Sequence, residues 1–290
     1  MVDTTAAQSP EDDPQGVGPG VVLADRYRVI RLVGEGGMGR VFLAEDTRQD
    51  RQVALKLLAD DRPIPRAAER FTREAQSIAR IDHENVVRIY DVGQSPRGGL
   101  FYVMEYLEGE ELADTLDREG PLPWWRARDI ALQVCSALQA AHEKGVVHRD
   151  LKLENCFRVE RDGQRDFLKI LDFGVAKLLA PDRDEGGRLT NTGATLGTPA
   201  YMAPELCRGK QIDHRVDVYA LGVMLYEMLT GTVPFVGDSF LDVALLHMSE
   251  PPPPLSKFLP PEEVPDGLEA VIMRALAKAR EDRFPTMAAF

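Results

Sequence analysis

The stretch His148-Arg149-Asp150-Leu151-Lys152-Leu153-Glu154-Asn155 is rich in groups able to do chemistry, and Asp172-Phe173-Gly174 follows it. Four residues separate Asp150 from Asn155, and a hairpin-like segment separates Asn155 from Asp172. Moving a phosphoryl group onto a hydroxyl requires an acceptor beside the incoming hydroxyl and oxygen ligands for Mg2+ on the nucleotide phosphates. Positioning and charge stabilisation provide almost all of that catalysis. Asp150 can be the acceptor, and Asn155 and Asp172 can supply the oxygens. Alone, a His-x-Asp near an Asn is a weak signal, so the elements around it must decide.

Upstream, Gly34-Glu35-Gly36-Gly37-Met38-Gly39-Arg40-Val41 reads as G-x-G-x-x-G-x-V. Glycines at Gly34, Gly36, Gly37 and Gly39 let backbone N–H groups approach phosphate oxygens that a Cβ would hold off. A plain β-turn is the competing reading, and the flanks argue against it. Residues 27–33 and 41–44 are β-type runs. A dinucleotide-binding fingerprint would need a helix after the glycines, and no helix signal follows. The glycines therefore turn a hairpin. Val53-Ala54-Leu55-Lys56 comes next, where a buried Lys56 is costly without a partner. Glu74, in a segment of good helix formers at 70–76, is the expected partner.

In this order the motifs resemble those of a eukaryotic-like Ser/Thr protein kinase of the kind found in bacteria, over roughly residues 24–290. Gly197-Thr198-Pro199-Ala200-Tyr201-Met202-Ala203-Pro204-Glu205 contains the A-P-E element. Asp217–Gly222 resembles the start of the buried central helix of the large lobe, and Arg283 resembles the arginine that pairs with Glu205. The resemblance implies an α+β, bilobal fold: a small antiparallel-sheet lobe with one main helix at about 22–105, and a larger helical lobe at 106–290. It implies ATP with Mg2+, or Mn2+, as cofactor. Asp150 would orient the substrate hydroxyl and take its proton, Lys152 would neutralise the moving γ-phosphoryl group, and Asn155 and Asp172 would ligate the metal. Lys56, held by Glu74, would reach the α- and β-phosphates. Val41, Ala54 and Phe157 would sandwich the adenine, backbone groups of Glu105 and Leu107 would bind its edge, Met104 would be the gatekeeper, and Glu111 would contact ribose. A solvated acidic residue is an equal reading of Glu111. Lys152 and Thr198 favour Ser/Thr over Tyr acceptors. Leu153 departs from the proline many relatives carry there.

Regulation leaves its own pattern. Arg149, with Arg70 and Lys177, would form a basic pocket for a phosphorylated residue of the activation segment, 172–205, because a phosphothreonine carries about −2 charge and pairs with such clusters. Thr190, Thr192 and Thr195 are the candidate phosphosites. Ala194 occupies the position where many relatives carry the site, so the spacing favours Thr190 and Thr192. Two rival functions are a pseudokinase scaffold, which usually lacks Lys56, Asp150 or Asp172, and an aminoglycoside-type small-molecule kinase, which lacks the A-P-E and Thr198 elements.

The composition agrees with a soluble, intracellular enzyme. Lys+Arg number 35 against 47 Asp+Glu, a formal charge of −12, which argues against nucleic acid or an anionic membrane surface as partner. The expected partners are protein substrates with Ser/Thr acceptors and the chain itself by autophosphorylation, with dimerisation an open option. Cys135, Cys156 and Cys207 are odd in number and lack metal spacing. No apolar run is long enough to span a membrane. Residues 1–21 read as a flexible acidic tail. A cytoplasmic domain is expected, with a last helix barely begun at 285–290 and a parent chain that could be anchored beyond it.

Helix patterns are clear in the second half. Ala127–Lys144 has apolar residues at near-helical spacing, Val216–Leu229 is apolar almost throughout, and Leu268–Lys278 is periodic. Pro251–Pro254 reads as a rigid connector. Asp217, at the head of the apolar helix, would be costly to bury unless it accepts backbone hydrogen bonds from the catalytic loop.

Overall fold

The computed structural model describes residues 16–37, 39–58, 67–173, 199–209 and 211–290. Their contacts divide the chain into two units, one of residues up to Arg80 with Val87–Leu107, the other of Ile81–Val86, Glu108 onward and the C-terminal half.

The first unit is built on an antiparallel sheet: β1 (Val22–Leu23), β2 (Tyr27–Gly36), β3 (Gly39–Asp46), β4 (Arg51–Leu58), β5 (Ile89–Gln94) and β6 (Leu100–Glu105). The strand order is β1-β2-β3-β4-β6-β5. Side chains alternate across a strand, and directly paired residues share a face. The pairs Phe42↔Leu55, Leu55↔Val103 and Leu57↔Phe101 lie on one face. That face forms the core with Leu23, Tyr27 and Val29, each such fully buried large side chain contributing about 1.5–3 kcal/mol. The other face carries Val41↔Lys56, Lys56↔Tyr102 and Ala54↔Met104. The helix α1 (Ala67–Ala79) buries Phe71, Ala75 and Ile78, and Phe71 packs on Tyr102 at 6.5 Å between ring centroids.

The tail ends earlier than its composition suggests. Val17 is 2% exposed and joins the sheet core, and Gly20 donates to the Val29 carbonyl at 2.8 Å. Residues 16–21 are therefore part of this unit. Val17 and Val21 are the apolar residues that draw them in, and two residues are too few to set a periodic pattern. Residues 1–15 lie outside the described part.

The second unit begins with β7 (Gly109–Glu111), α2 (Leu112–Glu119) and α3 (Trp124–Glu143). The strands β8 (Cys156–Arg161) and β9 (Gln164–Ile170) complete a three-stranded sheet ordered β7-β8-β9. Asp162 and Gly163, with φ of +53 and +79, make the tight β8–β9 turn. Helices α4 (Pro204–Cys207), α5 (Arg215–Thr230), α6 (Phe240–Ser249) and α7 (Leu268–Ala275) follow. α3 starts three residues before the apolar pattern does, because Pro123, extended at φ −61 and ψ 146, sets the entry at Trp124. α7 stops at Ala275, shorter than its periodicity; Leu276 is as buried as a helix residue but closes the last turn. The stretch 285–290 is bends and turns, with one helix-like bond from the Phe290 N–H to the Thr286 carbonyl at 3.2 Å. Pro251–Pro254 is irregular and leads into a short 3-10 turn at Leu255–Lys257.

α5 is buried on all sides except Arg215, Glu227 and Thr230. Gly222 is required where α7 crosses it: an added Cβ would lie 2.9 Å from the Ala275 Cβ. Cys135 on α3, Cys156 on β8 and Cys207 on α4 are free thiols. Burial pushes their pKa up to about 12, 12 and 11. No described helix is long and apolar enough to cross a membrane.

Candidate active site

The loop from α3 to β8 carries Asp150, Lys152 and Asn155; buried Leu151 and Leu153 anchor it, and hydrogen bonds from the residues around it fix its backbone. Asp217, 1% exposed at the first turn of α5, accepts the backbone N–H of His148 on Oδ2 and of Arg149 on Oδ1, both at 2.9 Å. Burial pushes the Asp217 carboxyl toward neutrality, but the His142 hydrogen bond, the nearby histidines and the His148 N–H outweigh it. The carboxyl is held below its usual range. This is the partner set that the sequence reading required of a buried Asp217.

Arg149 takes a φ of +63 and Asp172 a φ of +53. Both are left-handed, a conformation a non-glycine residue holds only when its surroundings over-determine it. His148, fully buried, supplies one such restraint. Its Nε2 lies 2.9 Å from the Leu171 carbonyl and its Nδ1 3.3 Å from the Asp150 N–H, while Phe173 packs on its ring at 4.7 Å. That pattern assigns the proton to Nε2, and burial lowers the pKa of the ring. Asn155 donates Nδ2–H to the Asp150 carbonyl at 2.7 Å, and its own carbonyl accepts the Leu171 N–H at 2.8 Å. Hydrogen bonds thus join Asn155 to Asp150, and those made by Leu171 bring its chain neighbour Asp172 to the same loop. With Nδ2 used internally, Asn155 presents Oδ1 as an oxygen donor, and Asp172 adds a carboxylate. Hard oxygen ligands of this kind suit Mg2+, which is commonly bound through one or two protein groups with substrate phosphates completing its shell. Among the described residues no group of three His, Cys, Asp or Glu forms a closed metal cage.

Elsewhere in the same unit, Glu111 on β7 is paired directly with Phe157 on β8. Burial, then the carboxylates of Asp114 and Glu154, raise the pKa of Glu111. Lys152 Nζ lies 3.7 Å from Glu154. Glu205, on α4, receives a bidentate pair from Arg283 at 2.7 and 2.8 Å, deep in the unit.

In the first unit, the sheet register puts Val41, Ala54, Lys56 and Met104 on one face, opposite to the core. Gly34 pairs with Val41 and Gly36 with Gly39 at the hairpin end. Gly39 has a φ of +131, and a Cβ there would fall 2.0 Å from the Leu57 carbonyl oxygen, so glycine is obligatory. Lys56 is buried, at 8% exposure. Glu74 is half-buried on α1, one turn beyond Phe71, whose ring packs on the Tyr102 that pairs with Lys56. Glu105 ends β6, its carboxylate accepting the Arg88 N–H at 2.9 Å, and Leu107 follows half-buried.

Residues 27–290 match the protein kinase domain family. The chain belongs to that family. The kinase domain is 45% identical over 276 residues to the serine/threonine-protein kinase pkn3 of Myxococcus xanthus, covering 93% of this chain and 50% of that protein. It is 42% identical over 271 residues to the serine/threonine-protein kinase PknB of Mycobacterium tuberculosis, covering 92% of this chain and 42% of that protein. The chain therefore spans about half or less of the curated relatives it matches. Among solved structures, the Mycobacterium tuberculosis PknI kinase domain superposes with a TM-score of 0.71 at 28% identity, over 93% of this chain and 95% of that one. The α+β architecture of sheet unit and helical unit is that of bilobal protein kinases.

Several expected residues of the kinase domain lie outside the described part: Lys177, Thr190, Thr192, Thr195, Thr198 and the side chain of Arg70. Two other features escaped sequence reasoning. His142, on the last turn of α3, has Nε2 2.8 Å from Asp217 Oδ2. Tyr201 donates its hydroxyl to Glu227 of α5, whose carboxyl is pushed up to about 7 by burial and by the nearby Glu154 and Asp117 carboxylates. No local pattern announces either contact, because each joins residues distant in sequence.

Proposed function

We propose that this domain transfers the γ-phosphoryl group of Mg-ATP to Ser and Thr hydroxyls of proteins and is activated by autophosphorylation of its activation segment. The observation that carries the reading is the bond of Asn155 to Asp150 in a loop held by Asp217 and by His148, whose contact with Leu171 lies next in the chain to Asp172. In it Asp150 orients the acceptor hydroxyl and takes its proton, and Lys152 moves with the charge of the transferred group. Asn155 Oδ1 and the Asp172 carboxylate would hold Mg2+ or Mn2+, which when bound neutralises charge developing on the phosphate oxygens. Lys56, supported by Glu74, pairs the nucleotide phosphates. Gly34, Gly36, Gly37 and Gly39 cover those phosphates. Val41, Ala54, Met104 and Phe157 take the base, backbone groups of Glu105 and Leu107 its edge, and Glu111 the ribose. The proposed partners are protein substrates, with the serine/threonine-protein kinase names of the relatives in support, and a second copy of the chain as autophosphorylation target. The proposed working compartment is the cytoplasm.

The test is incubation of the purified domain with Mg2+ and ATP, with phosphate mapped by mass spectrometry beside Asp150→Asn. Loss of a general base costs about 10²–10⁴-fold. Phosphate on Thr190 or Thr192, absent from the variant, is the expected result. No phosphate on the domain or on added casein would favour a scaffold role instead.

A further inference from the structure

We infer that Arg158 and Glu110 are positioning residues for the nucleotide: pairing across β7 and β8, they fix the strand that aims Glu111 at the ribose. The inference rests on the ribose contact proposed above for Glu111. β7 is 3 residues long, lies at the edge of its sheet and pairs with β8. So short a ladder holds a strand weakly by itself. Glu110 is paired directly with Arg158, and Glu111 with Phe157. Directly paired residues share a face, and successive residues alternate between faces. The ion pair therefore occupies one face of β7 and β8, and Glu111 with Phe157 the other.

That ion pair is one side of a closed ring of alternating charge. Arg158 donates to Glu110 through one nitrogen of its guanidinium and to Asp166, at 3.4 Å, through another. Arg126, in the first turn of α3, donates to Asp166 at 2.7 and 2.9 Å and also to Glu119. Arg118, on α2, donates to Glu119 at 2.8 Å and closes the ring at Glu110 Oε1, also at 2.8 Å. Thr115 adds a hydrogen bond to the same Oε1 at 2.7 Å. Isolated surface ion pairs contribute little, whereas bidentate arginines joined in a network are the exception. The side chains of Arg126, Arg158 and Asp166 are only 16%, 18% and 22% exposed. Because α3 is fixed by seven buried apolar residues, the ring passes the rigidity of that helix to β7.

The two adjacent carboxylates have separate tasks. Hydrogen bonds from Arg118 and Thr115, then from Arg158, hold Glu110 down to about 2. Glu111 is the N-cap residue of α2, yet its side chain makes no capping hydrogen bond. Burial, then Asp114 and Glu154, raise its pKa, so hydroxyl donors from a sugar would stabilise its charge. Without the ring, β7 is free to shift on β8, and the Glu111 carboxylate shifts with it.

The test measures binding of Mg-ATP and of the 2′,3′-dideoxy analogue, which lacks both ribose hydroxyls, by calorimetry. Wild type is compared with Arg158→Met, Glu111→Ala and the double variant. A hydrogen bond to a charged group corresponds to about 10- to 100-fold in affinity, which is the preference for ATP expected of wild type. Arg158→Met should cut that preference about 3- to 10-fold while changing affinity for the analogue less than about twofold. In the Glu111→Ala background it should cost no further ATP affinity. A preference within about twofold of wild type in Arg158→Met, or an equal loss for both nucleotides, would overturn the inference. Glu110→Ala breaks the same pair and carries the same expectation if Arg158→Met does not fold. Amide exchange over residues 109–112 without nucleotide should quicken about tenfold in either variant. Unchanged exchange overturns the inference whatever the nucleotide result. A wild type that binds neither nucleotide overturns the kinase reading, and one that binds both equally overturns the ribose contact, while exchange still reports on the tether.

Discussion

Replacing Arg283 with Met should be among the most damaging single changes in the second unit. Its side chain is 0% exposed and that of Glu205 8%. The guanidinium donates twice to Glu205, at 2.7 and 2.8 Å, and also to the carbonyls of Ala277, Arg215 and Lys278 at 2.8, 3.2 and 3.3 Å. Met fills much of the volume but leaves a buried carboxylate with no cation, which costs about 3–5 kcal/mol. Stranding the Ala277 carbonyl adds about 1 kcal/mol. Removing both charges is a different experiment, because apolar replacement of a whole buried pair is often near neutral. The double variant Glu205→Leu with Arg283→Met should therefore recover at least half of the loss. Urea unfolding followed by tryptophan fluorescence suits the question, since the two tryptophans, Trp124 and Trp125, both sit at the start of α3 in this unit. A loss of about 4–6 kcal/mol corresponds to a melting shift of about 8–24 °C for a unit of this size. A single variant losing less than about 1 kcal/mol, or a double variant no better than the single, would refute the reasoning.

Glu227 makes a pH-dependent contribution. Its folded pKa of about 7 stands above the ordinary 4.5, so the folded form keeps its proton to higher pH than the unfolded chain. The stability it adds is full below about pH 4.5 and is lost as pH rises through 7, by up to about 3 kcal/mol. Glu227→Gln should flatten that fall relative to wild type in urea titrations at pH 5 and 8; parallel curves would sink the assignment. Gly39→Ala should cost about 1–3 kcal/mol in the first unit, through backbone strain and the clash with the Leu57 carbonyl. Alanine at Gly34 or Gly36 meets nothing within 4 Å, so those variants should melt with wild type and lose nucleotide affinity instead. Exchange protection of β2 and β3 separates the two cases, and equal protection in all three variants would contradict the close approach.

Much of the chemistry was legible because it is local. Asp150, Asn155 and Asp172 announce themselves by residue type and spacing, and the helices of the second unit by the periods of their apolar residues. The sheet strands were legible too, but their shared face was not. That Val41, Ala54, Lys56 and Met104 face the same way depends on which strands pair and in what register, which turns and crossovers set. Glu205 and Arg283, 78 residues apart, could be joined only through resemblance to a family. His142 was invisible for the same reason: at the end of α3 it is one polar residue among several, and only the packing of α3 near α5 gives it Asp217. The ends of elements were the least legible. Pro123 moved the start of α3, and Val17 and Val21 pulled in residues whose composition reads as tail.

The three thiols have a practical meaning. All lie in the second unit, and burial pushes each pKa up to about 11 or 12. The thiolate is the reactive form, so at neutral pH a native molecule offers an alkylating reagent almost nothing to attack. Cys135, Cys156 and Cys207 sit on three different elements, α3, β8 and α4. Cys156 and Cys207 are buried whereas Cys135 is half-buried, so the labelling rates of the first two are separate clocks for local opening, written into the chain without any added probe. The first unit, which carries no cysteine, stays silent, so any label these two acquire under mild conditions dates an excursion of the helical half.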